Sequence, residues 1–127
     1  MPDISEIGFD LQPALEIWAH VLSVPERGRL VCGFGKRDVG FDSGMPRLIS
    51  WVRPNLDHKP KPLPVEYHIA SLWDQHACVE GPEDSPLRVG DLVSVGISHP
   101  CTTLDKWRGL LVVDDDYVVH DLVRTYF

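Results

Sequence analysis

His99 and Cys101, set one residue apart in His99-Pro100-Cys101, are the pair in this sequence whose side chains best suit chemistry. A neutral imidazole and a thiolate are both good ligands for Zn²⁺, at about 2.0–2.1 and 2.3 Å. Residues two apart point to the same side where the backbone is extended, so a shared metal predicts an extended stretch here. No C-x-x-C or H-x-x-x-H accompanies the pair, which argues against a closed four-ligand structural site. Two protein ligands leave coordination positions open, as a catalytic metal requires. The same residues also read as a turn histidine beside a packed cysteine, and spacing alone leaves both readings open.

Two further stretches could stand near such a site. His76, in Asp74-Gln75-His76-Ala77-Cys78, heads a predicted strand, where a histidine bonded to its neighbours is the plain alternative to a ligand. The run Gly33-Phe34-Gly35-Lys36-Arg37-Asp38-Val39-Gly40-Phe41-Asp42-Ser43-Gly44 has the glycine density of an elaborate loop that approaches another body closely. It contains neither G-x-x-x-x-G-K-[ST] nor G-x-G-x-x-G, so it is no phosphate loop, and Lys36 with Asp42 could be a surface pair. No serine lies in G-x-S-x-G, and a Ser–His–Asp hydrolase has no support. Cys32 and Cys78 sit in apolar company and read as small core hydrophobes. His20, His58, His68 and His120 carry no pattern.

The elements that must hold these residues are short. Leu48 to Arg53, Val65 to Ala70, Asp91 to Ile97, Leu110 to Val113 and Tyr117 to Val123 are strand-length runs of β-branched and aromatic residues bounded by Gly, Pro or Asp. Within Asp91 to Ile97 the side chains alternate, with Val93, Val95 and Ile97 on one face. Asp114, Asp115 and Asp116 between two apolar arms predict a hairpin. Ala14 to Ser23 fits a helix or a strand by periodicity; Pro13 and Pro25 bound it too closely for a helix, so a strand is expected. Leu56 to Pro64 reads as a linker and Gly81 to Pro86 as a loop. The 127 residues form one domain, 1–127, mainly β, as a small barrel or sandwich.

Composition narrows the function. With 43% apolar and 24% charged residues the chain is no disordered segment. A net charge of −7 is unsuited to gripping a phosphate backbone, so no nucleic-acid partner is expected. No apolar run reaches the ~20 residues of a membrane span, and the start MPDISEIGFD has no signal-peptide pattern, so no membrane is expected. Three irregularly spaced cysteines fit a reducing, cytoplasmic setting rather than a disulfide framework.

Three segments in order carry a resemblance. Ile97 to Arg108 (ISHPCTTLDKWR) resembles the metal-binding signature of the D-serine dehydratase-like family, which includes the D-threonine aldolases and bacterial amino acid deaminases. Gly35 to Pro46 and Leu72 to Ala77 resemble two further blocks of that family, and the likeness runs from about Leu11 to Phe127. The resemblance implies a small β-barrel-like C-terminal domain of the alanine racemase fold type, without the (β/α)8 barrel that carries pyridoxal phosphate. The family's Schiff-base lysine lies in that barrel, and none of Lys36, Lys59, Lys61 and Lys106 matches its motif. No cofactor-binding or catalytic residue is therefore assigned in this chain, and the chain alone is expected to be inactive.

His99 and Cys101 match the family's zinc pair. Lys36, Asp42, His76 and Asp105 match positions near the site and are candidates to support the ligands. A thiolate where the aldolase branch typically has a carboxylate points to zinc and to the dehydratase/deaminase branch. In the complete enzyme the implied reaction takes a D-hydroxyamino acid, D-serine or D-threonine, to a keto acid and ammonia. The alternative is a stand-alone, non-catalytic metal-binding or interaction module. A domain shaped to meet a barrel should expose an apolar face, expected at Gly33 to Pro46 and His99 to Trp107, and should form a homodimer.

Overall fold

The computed structural model describes residues 13–127; the reading of the first ten residues and the Leu11 start of the family-like region lie outside the described residues. The elements are β1 (Glu16–Glu26), β2 (Arg29–Cys32), β3 (Arg47–Val52), β4 (Lys61–Pro62), β5 (His68–Leu72), β6 (Ala77–Glu80), β7 (Leu92–Gly96), α1 (Pro100–Leu104), β8 (Gly109–Val113) and β9 (Val119–Arg124). Seven strands form one antiparallel sheet in the order β4-β3-β7-β1-β2-β6-β5, and β8 and β9 pair only with each other.

The sheet curls into a half-barrel, mainly β as expected. Register shifts at Val21/Ser23, Ser23/Glu26, Leu48/Ser50 and Ile69/Ser71 supply the bends, since an extra residue on one strand kinks it and raises its twist. The shift in β5 shows in its burial: Ile69 and Leu72 both face inward although three residues apart. Inside the curl, Ile17, Ala19 and Val21 of β1 meet Leu30, Cys32, Val79, Val93 and Val95, all at or below 7% exposure. Asp91, buried at the mouth of β7, accepts bonds of 3.0 Å from both Nε and Nη2 of Arg53 and one of 2.8 Å from the Arg88 amide.

Several expectations shift in detail. The expected strand Ala14 to Ser23 begins two residues later, at Glu16, and runs on through Pro25 to Glu26, where the register shifts spare the missing amide. β5 begins at His68, because Pro64 to Tyr67 make a turn closed by the Tyr67 amide on the Pro64 carbonyl. The linker-like stretch is largely exposed but tied down near its end, where Lys61–Pro62 pairs with β3 and Leu63 is buried. The hairpin forms, with Tyr117 in its turn at φ 61° rather than in the strand.

Asp114 holds that turn. Its carboxylate accepts the amides of Asp116 (2.9 Å) and Val118 (3.0 Å), and His120 Nε2 lies 2.7 Å away. The His120 bond first, then the Val118 amide, keep this carboxyl below the usual range. A depressed folded pKa gives stability that is present above the ordinary carboxylate value, near pH 4, and lost as pH falls through the folded value. Amide protection at Val118 is thus expected to drop on acidification below about pH 4, and Asp114→Ala should remove the step. A hairpin equally protected at neutral pH and at the acid limit would contradict this role.

Candidate metal site

α1 is the next element after β7, an interior strand between β3 and β1 that leads the chain to His99. Here the structure departs from the expected extended stretch. His99 is the N-cap in extended backbone (φ −135°, ψ 97°), but Pro100 opens the helix and Cys101 lies in its first turn. Proline at N1 pre-sets the helical φ and has no amide to strand. The carbonyl of His99 accepts bonds from the hydroxyls of Thr102 (3.3 Å) and Thr103 (3.1 Å), which pins the turn.

The glycine-rich loop closes over this turn. Phe34 and Val39, at 1% and 0% exposure, anchor it in the core. Gly40 donates its amide to the buried Thr103 Oγ1 at 2.8 Å. A Cβ on Gly40 would stand 3.1 Å from the His99 carbonyl oxygen and closer still to the Thr102 hydroxyl, so only glycine fits. Ser98 Oγ donates to the Gly44 carbonyl (2.8 Å) and Trp107 Nε1 to the Asp38 carbonyl (2.8 Å).

The result is a pairing of residues 57 apart in sequence: His99 Nδ1 lies 2.7 Å from Asp42 Oδ2. Asp42 Oδ1 accepts the Thr102 hydroxyl at 3.0 Å. The His99 bond is the largest cause holding the Asp42 carboxyl below its ordinary range. With Nδ1–H donated to a carboxylate, the imidazole presents Nε2 as its free lone pair, the arrangement that orients metal-bound histidines. Cys101 is exposed two residues on, in the first turn of α1. Cys32 is no rival: burial, with Cys78 adding, pushes its thiol up to about 12. Among the described residues no three His, Cys, Asp or Glu side chains converge as a cage.

The other expected residues are spread out. His76 and Lys36 line an open depression of about 490 Å³ with Arg37, Trp73, Asp74 and Gln75. The amides of Lys36 and Arg37 bond the carbonyls of Trp73 (2.7 Å) and Asp74 (3.0 Å), and a Cβ on Gly35 would lie 2.6 Å from the Asp74 carbonyl carbon. Lys36 Nζ lies over the Phe41 ring at 5.4 Å. Asp105 caps the far end of α1 and pairs with Lys106. The structure thus joins Asp42 to His99, sets Lys36 and His76 along one separate depression, and leaves Asp105 apart. Sequence reasoning missed Thr102, Thr103 and Gly40; two threonines directly after His-Pro-Cys were the available signal.

Residues 14–113 match the family described as a serine dehydratase domain. The fold also matches the crystal structure of D-threonine aldolase from Filomicrobium marinum, with a TM-score of 0.73 at 20% identity. That match covers 96% of this chain and 30% of the aldolase chain, so the chain spans less than a third of that protein's length. No curated protein sequence matches. No helix among the described residues is long and apolar enough to cross a membrane.

Proposed function

The chain belongs to the serine dehydratase domain family, and from that premise we propose that it is the metal-carrying β domain of a pyridoxal-phosphate- and zinc-dependent enzyme. Its reaction would be the deamination of a D-hydroxyamino acid, D-serine or D-threonine, or a related aldol cleavage. The observation that carries this reading is the Asp42–His99 pair beside Cys101, within the family-matched region.

The donor types suit zinc, with Cys101 in a helical turn instead of the extended stretch that spacing led one to expect. His99 would bind through Nε2 and Cys101 through its thiolate, a soft N/S pair that suits this ion. Bound there, zinc supplies a Lewis acid that eases departure of a β-hydroxyl as hydroxide. Asp42 holds the imidazole in one tautomer and one orientation, and Thr102 steadies Asp42. Thr103, buried between the Gly40 amide and the His99 carbonyl, keeps loop and turn in register. Three free cysteines suit a reducing, cytoplasmic setting, which a zinc thiolate also needs.

The lysines do not fit pyridoxal phosphate. Lys106 Nζ donates to the Thr102 carbonyl, Lys61 pairs with Asp57, Lys36 lies over Phe41, and Lys59 is exposed. The cofactor and substrate would instead be held by the larger partner domain, in a homodimeric enzyme. Protein purified without chelator should carry about one zinc per chain, and borohydride trapping with pyridoxal phosphate should give no pyridoxyl-lysine. A chain that takes up no zinc from a metal buffer would sink the reading.

A further inference from the structure

Two turns face one another at the depression that holds Lys36 and His76. Lys36 and Arg37 are the central residues of a turn closed by the Asp38 amide on the Gly35 carbonyl at 2.9 Å. Asp38 Oδ2 accepts the Gly35 amide in return, also at 2.9 Å. Asp74 and Gln75 turn β5 into β6, closed by the Trp73 amide on the His76 carbonyl at 2.8 Å. The amides of Lys36 and Arg37 then tie the first turn to the second. Only glycine at position 35 permits that docking, because a Cβ there would overlap the Trp73 carbonyl. Ordering a glycine costs more conformational entropy than ordering any other residue. The docked turns bury none of their own side chains in exchange, since Lys36, Arg37 and Trp73 to His76 are all exposed. What the docking fixes is a set of polar side chains around an open depression of about 490 Å³.

We propose that this depression is a binding site for the phosphoryl or carboxylate group of a small organic molecule. Its charge selects an anion. Lys36 and Arg37 bring two cations into a chain of net charge −7, and Asp74 alone opposes them in the lining. Among the described residues neither cation forms an ion pair, with Asp74 or with any other acid. Lys36 Nζ rests over the Phe41 ring at 5.4 Å, which steadies the ammonium without neutralising it. Arg37 offers a planar fork of donors matched to two oxygens of one carboxylate or phosphoryl group. Gln75 and His76 add an amide and a ring N–H. Trp73, 53% exposed, supplies a flat apolar wall for the body that carries the anion. The volume lies within the range of small-molecule sites. Two cations also fall well short of the roughly 6–10 phosphate contacts that hold a nucleic acid.

The site shares no residue with the Asp42–His99 pair and does not rest on the zinc reading. Titration of the whole chain tests it, by calorimetry and by amide shifts at residues 35–38 and 73–76, with a chelator present so that no metal bridges the anion. Phenyl phosphate and benzoate are the probes, and benzyl alcohol is the neutral control. Binding of phenyl phosphate alone assigns the phosphoryl group, of benzoate alone the carboxylate, and of both a general oxyanion site. Each of these supports the proposal at a Kd of about 1 mM or tighter. Arg37→Ala should weaken binding by about 10-fold or more, because charge-assisted bonds are lost. Asp74→Asn should tighten it by removing the opposing charge. Arg124→Ala, exposed on β9, should leave it unchanged. Tm should hold in all three variants, since these side chains are exposed. A weaker Kd for both anions, equal binding of benzyl alcohol, or an affinity unmoved by Arg37→Ala or by Asp74→Asn overturns the proposal. So does an equal loss in Arg124→Ala, which would mark attraction to surface charge at large.

Discussion

Zinc is expected to be lost from His99→Ala and from Cys101→Ala, with affinity falling by more than about 100-fold in each. Two protein ligands leave no redundancy, so removing either leaves a single donor competing with water. The informative variant is Asp42→Asn. It keeps size and hydrogen-bonding capacity but takes away the charge that His99 Nδ1 meets at 2.7 Å. Loss of such an orienting carboxylate costs typically 10–100-fold in metal affinity. The expected order of damage is therefore Cys101→Ala and His99→Ala above Asp42→Asn, with Asp105→Asn near wild type because Asp105 pairs with Lys106 instead. Competition against a chromophoric chelator measures all four. Equal affinity in wild type and Asp42→Asn would falsify the orienting role, and equal affinity in all five proteins would remove the site.

Phe34→Ala is expected to be the most damaging single change to stability. The ring is 1% exposed and lies where β2 leaves the sheet for the glycine-rich loop. Truncating such a ring costs about 3–5 kcal/mol through lost transfer energy and the cavity left behind. Against a typical total of 5–15 kcal/mol, that is a large share, and Tm should fall by about 10 °C or more. The control is Leu111→Ala. Leu111 is a larger aliphatic residue than its neighbours Val112 and Val113, yet 64% exposed, and its truncation in the monomer should stay within ~0.5 kcal/mol. Calorimetry of both variants at low protein concentration keeps association out of the comparison. Similar losses for Phe34 and Leu111 would mean that the hairpin, not the half-barrel, carries the folding cooperativity.

Local pattern made much of the scaffold legible. Alternation in Asp91 to Ile97, the acids between two apolar arms, and the β-branched runs are short-range signals, and the strands and the hairpin appear close to where they were read. β2 and β4 are four and two residues long, too short for a period to declare itself. β5 starts late because a proline turn overrides the apolar content of Val65 to Tyr67. α1 went unseen because five residues carry no helical periodicity, although Pro100 after a histidine was a start signal.

By itself the sequence determined the fold class and the family, and it put forward His99 and Cys101 as candidate ligands, because residue types and local order are one-dimensional facts. It also narrowed the supporting groups to four. Which of them reaches the imidazole was decided only in three dimensions. Asp42 and His99 meet because Gly40 lets the loop press against Thr102 and Thr103, a close approach that no spacing encodes. Lys36 and His76 line one open depression instead, since Gly35 docks backbone to backbone on Trp73 and Asp74. The apolar arms of the hairpin read alike as core or as interface, for a strand's composition says that it will be covered and not by what. Burial is a property of the whole packed domain, and only that packing left Leu111 and Leu122 outside.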